Sequence, residues 1–126
     1  MMVELYGLLL FFYTMTKAEI TINGKNVGLA YCYATEIAFR KSTGKNIDEF
    51  NPQDPEHVVD LILAAVLSYY QAKGEEAPVK SDDLMFDVKP ADIVELLREV
   101  FKLRAEWYDV PLDDQEEKVE AEQKND

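Results

Sequence analysis

Cysteine and histidine are almost absent from this chain: Cys32 and His57 stand alone among 126 residues. A lone thiol cannot close a disulfide within the chain, which fits a reducing compartment. One thiol and one imidazole also provide no metal framework. Glycine is scarce, with five in all. A phosphate-binding loop needs a further glycine five positions ahead of the glycine of its Gly-Lys pair. Ahead of Gly24-Lys25 and Gly44-Lys45 those places hold Glu19 and Phe39, and neither GxGxxG nor GxSxG occurs. Basic residues are outnumbered 13 to 25, for a net charge of −12. That balance repels phosphate backbones and anionic lipid, so we expect neither nucleic acid nor membrane as a partner. No apolar run approaches the ~20 residues that span a bilayer.

What is present begins with Ala18 to Gly44, AEITINGKNVGLAYCYATEIAFRKSTG. Ile20 and Ile22 alternate ahead of Asn23-Gly24, the dipeptide best suited to the positive φ angles of a two-residue type I′ turn. Val27, Leu29 and Tyr31 continue the alternation on the return strand. Helical spacing then runs through Ala34, Ile37, Ala38 and Phe39, with Gly44 placed as a C-cap.

Downstream the pattern is helical. Residues 45–54 read as a connector anchored by Ile47 and Phe50. Asp54 is placed to cap the next helix, Pro55 suits its first position, and Glu56 favours the positive end of the helix dipole. That helix stops at Gly74 and is apolar at nearly every position from Leu61 to Leu67, as expected of an element enclosed by others. Ser81, Asp82 and Asp83 open a short helix through Phe86. Pro90 starts a last long helix with one broad stripe made by Ile93, Leu96, Leu97, Val100, Phe101, Leu103 and Trp107. Pro111 disfavours helical geometry at Val110, so this helix is expected to end by Asp109. The fold class is therefore α+β: an N-terminal β-hairpin followed by a small bundle of three to four helices.

Charge divides the chain. Residues 17–50 hold five bases and four acids, residues 51–111 six and thirteen, and residues 112–126 two and seven. We expect a single globular domain over 15–111 and an acidic, disordered tail over 112–126. Residues 1–14, MMVELYGLLLFFYT, carry an apolar run without preceding Lys or Arg and without a small-residue cleavage site, so they make a poor secretory signal. We read them as an extension from a misassigned start codon, because Met15 opens MTKAEITING, a natural start for a strand. An extra strand or buried N-terminal segment is the competing reading.

No catalytic constellation emerges. His57 with Asp54 and Asp60 has metal-ligand residue types, but the stronger reading makes Asp54 a cap and leaves His57 and Asp60 facing solvent. Asp82, Asp83 and Asp87 match neither the spacing nor the glycine of a calcium loop. Cys32 lacks a base in its own element and reads as a small buried hydrophobe. No catalytic, cofactor-binding or metal residue is therefore assigned. Tyr69 and Tyr70 end the apolar helix, and Trp107 and Tyr108 end the last one. Core packing is the ordinary role of such rings. Because Tyr and Trp are enriched at interface hot spots, and these pairs lie where a core thins, they are the candidate partner-binding residues.

The order of elements resembles that of tail assembly chaperones of long-tailed phages and prophages. The resemblance is carried by ITINGKNVGLAYCYATEIAFRKSTGKNIDEF (Ile20 to Phe50) and HVVDLILAAVLSYYQAKGEEAP (His57 to Pro78). The aromatic-Ala-x-x-Ile-x-Phe pattern of Tyr33 to Phe39 and the Gly-x-x-Ile-x-x-Phe of Gly44 to Phe50 are its most family-like parts. It spans roughly residues 17–109. It implies a non-enzymatic, cytoplasmic protein that coats and solubilises the tape-measure protein and helps recruit tail-tube subunits. In that family a short form and a frameshifted long form often coexist. Two rivals stand beside it: a small acidic adaptor or self-associating oligomer subunit, and an acidic inhibitor that mimics nucleic acid.

Overall fold

Asn23 and Gly24 reverse the chain with φ of 51° and 78°, the two positive values of a type I′ turn. The computed structural model describes residues 16–109, and the expectations for residues 1–14 and 112–126 lie outside them. The turn joins β1 (Thr16–Ile22) to β2 (Lys25–Tyr31), paired antiparallel from Ile22↔Lys25 to Thr16↔Tyr31. There follow α1 (Tyr33–Thr43), a 3-10 turn at Ile47–Glu49, α2 (Pro55–Lys73), α3 (Ser81–Phe86) and α4 (Pro90–Tyr108). The described chain is thus α+β, a hairpin followed by four helices.

The helix boundaries follow local chemistry. At the start of α1 the Thr35 hydroxyl accepts the Cys32 N–H at 3.2 Å, and at its end Gly44 turns left-handed. Asp54 Oδ1 accepts the N–H groups of Glu56 and His57 at the start of α2, with Pro55 in the first turn. Pro90 opens α4, and Asp109 closes it in the left-handed region at φ 55°. Ile47 and Phe50 hold the connector against the core.

α2 is the central element, packed by β2, α1, α3 and α4. The simple alternation expected of β2 is not what the structure has. Val27, Gly28, Leu29, Ala30 and Tyr31 are all buried, because helices cover both faces of the return strand. Gly28 pairs with Glu19 one step beyond the hydrogen-bonded pair Ile20↔Val27, so its N–H points away from β1. Tyr70 Oη accepts that N–H at 2.9 Å. The ring of Tyr69 occupies the space a Cβ on Gly28 would need. A second tie joins α1 to α2 through buried hydroxyls, Thr35 Oγ1 and Ser68 Oγ standing 2.8 Å apart.

Gly28→Ala is expected to destabilise the protein by about 1–3 kcal/mol through overpacking against Tyr69. Combined with Tyr69→Ala it should cost less than the sum of the single changes. Chemical denaturation of the four proteins checks this, and strict additivity would rule out the contact as the cause.

Candidate functional site

The four aromatic candidates fall into two separate clusters. Tyr69 and Tyr70 are core residues, 4% and 9% exposed. Their rings meet edge-to-face with centroids 4.9 Å apart, and Tyr69 Oη donates to Glu19 Oε1 at 2.6 Å. Burial, then this hydrogen bond, pushes the Tyr69 phenol well above its ordinary pKa, while the same bond draws Glu19 down. Trp107 and Tyr108 lie instead on the outer side of α1. Trp107 is half-buried and meets the exposed Tyr33 edge-on at 5.7 Å. Tyr108 is 41% exposed and donates to Glu36 Oε2 at 2.6 Å, an oxygen that also accepts from Tyr31 at 2.7 Å. The Arg104 guanidinium lies over the Tyr108 ring at 5.2 Å. With Ile37 exposed alongside, this is an aromatic face on which Glu36 accepts from two tyrosines of the same molecule.

His57 does not face solvent as expected; it is buried. The connector folds back over the first turn of α2 and brings Phe50 against it, so the imidazole packs among Phe39 and Phe50. Its Nδ1 accepts the Asn51 N–H at 3.1 Å, which fixes the ring as a structural acceptor. Asp60 is also partly withdrawn from water. Burial, followed by the nearby Glu56, raises its carboxyl pKa, and His57 opposes that rise. Among the described residues no three His, Cys, Asp or Glu side chains converge as metal ligands. Cys32 is fully enclosed at the β2–α1 junction. Asp83 accepts the Lys80 N–H at 2.8 Å, a capping role at the start of α3.

The site that periodicity did not reveal is a cleft of about 740 Å³ where the first two turns of α2 meet α3 and the start of α4. Val59, Leu84, Ile93 and Pro90 supply apolar wall, and Met85 and Val94 form walls that remain 53% and 45% exposed. Phe86 stands beside them on α3, 80% exposed. A six-residue helix cannot turn Leu84, Met85 and Phe86 all inward, and that is the signal the sequence did hold. Among the described residues the only charged groups lining the cleft are Glu56 and Asp60, one turn apart on α2. Among the described residues no helix is long and apolar enough to cross a membrane. Comparison of the chain with protein families, with curated proteins and with solved structures finds no match.

Burial and the Glu36 bond push the Tyr108 pKa up to about 12. A phenol whose folded pKa is raised lends stability that is whole below about pH 10, its unfolded value, and is lost as pH climbs through the folded one. Tyr108→Phe is expected to cost no more than about 1 kcal/mol at neutral pH, because the bond is solvent-screened. Its unfolding free energy should also fall less steeply than the wild type's above about pH 10. Parallel slopes in alkaline denaturation would contradict the assignment.

Proposed function

We propose that this protein is a non-enzymatic binding module whose cleft between α2, α3 and α4 receives an amphipathic helical segment of a client protein. The observation that carries this reading is the cleft itself. Its walls leave Met85 and Val94 about half exposed, with Phe86 beside them. Isolated surface hydrophobes are ordinary, but a contiguous apolar cleft marks a place where something docks. Methionine on such a wall adapts to varied side chains, as grooves for helices require. The aromatic face of α1 and α4 is the weaker candidate, because Glu36 and Arg104 are engaged by its own tyrosines.

A client of this kind accords with the resemblance to tail assembly chaperones, for which the helical client is the tape-measure protein. An acidic domain covering the apolar stripe of a long helix would keep the pair in solution through its own charge. Recruitment of tail-tube subunits and action in the host cytoplasm belong to the same reading. The adaptor reading uses the same cleft with a different client, so the identity of the long helical partner separates the two.

Met85→Glu combined with Val94→Glu is expected to abolish client binding and leave the fold intact, since both side chains are already solvated. Co-expression with the candidate tape-measure protein checks this. The wild type should raise the soluble client fraction several-fold and the double variant should not. An unchanged soluble fraction with the wild type would sink the chaperone reading.

A further inference from the structure

Asp60 is a carboxylate set into the apolar wall of the cleft. It is partly buried, and among the described residues it makes no hydrogen bond or ion pair, with His57 the one favourable charge that acts on it. The charged groups nearest it are Glu56, Asp54 and His57, all at the same end of α2. The facing walls of α3 and α4 bring Leu84, Met85, Ile93 and Val94, with no charge. Covering this wall with an apolar helix would strip the remaining water from an ionised group already repelled by Glu56. That burial is costly unless an opposite charge arrives with the helix.

We propose that Asp60 is the specificity anchor of the cleft, and that the occupant is a partner helix carrying Lys or Arg beside its apolar stripe. This deepens the cleft reading above and rests on it. Glu56 and Asp60 are four residues apart, so they present two negative charges along one turn. A helix with two basic residues spaced one turn apart matches both. Arginine has the added fit of a planar fork to a carboxylate. A second copy of this chain is a poor occupant, because it brings a net charge of −12 to an acidic cleft.

The test uses the full chain and three synthetic amphipathic peptides with one shared leucine stripe, whose flanking positions are Lys, Gln or Glu. Binding is read by fluorescence anisotropy, with thermal unfolding confirming that each variant folds. The Lys peptide should bind about tenfold tighter than the Gln peptide, the size of one charge-assisted hydrogen bond. The Glu peptide should bind weakest. Asp60→Asn should remove most of the Lys advantage and leave the Gln peptide within about twofold. Asp48→Asn, which removes the same charge from an exposed position in the connector, should leave the Lys advantage in place. Equal binding of the three peptides overturns the anchor role, as does an equal effect of the Asp60 and Asp48 variants. Failure of every peptide to bind instead overturns the cleft reading on which the inference stands.

Discussion

α2 can lie against the hairpin only because β2 has no side chain at position 28. The Tyr69 ring fills the place a Cβ would take, and the Tyr70 hydroxyl takes up the N–H that β1 leaves unpaired. An outward-facing strand N–H buried without a partner would be expensive, so one helix turn supplies both the packing and the satisfaction. With that end of α2 fixed, α1 locks on through Thr35 and Ser68, and the connector closes over His57 at the other end. The helix thereby divides its length. Its middle and C-terminal turns build the core, while its first two turns are left as one wall of a cleft.

The two exposed apolar surfaces differ in how their polar groups are served. On the α1–α4 face Glu36 accepts two phenols and Tyr33 braces Trp107. In the cleft Asp60 is partly desolvated and makes no hydrogen bond or ion pair among the described residues. Charge is divided in the same way. Arg40, Lys41 and Lys45 cluster on α1 and just beyond it, whereas among the described residues no basic side chain lines the cleft. A protein with a strong negative charge is held apart from its own kind, and its acidic cleft is more welcoming to basic helices than to another copy.

Much of the architecture could be read from residues with a strong local rule. Asn23-Gly24 dictated the turn and hence the register, Asp54-Pro55 the start of α2, Gly44 and Gly74 the ends of two helices, and Pro90 the start of α4. Other features were invisible because they are made between elements. Periodicity says which face of a helix is apolar, and nothing about which neighbour covers it. His57 is buried by a connector that returns from outside its helix, and the cleft needs three helices to converge. Tyr69 and Tyr70 stand at a helix end, where a core usually thins, yet the hairpin extends the core over them. The clue was Gly28, since a glycine inside a strand commonly marks a close backbone approach. Met85 and Phe86 on a six-residue helix were the corresponding clue to the cleft.

Hydrogen–deuterium exchange of the full chain, with and without the Lys-flanked amphipathic peptide, tests the cleft most directly. Peptide binding should slow exchange at the start of α2, across α3 and in the first turns of α4, and leave α1 and the C-terminal end of α4 unchanged. Protection confined to Tyr33–Ile37 and Trp107–Tyr108 would place the client on the aromatic face and contradict the account.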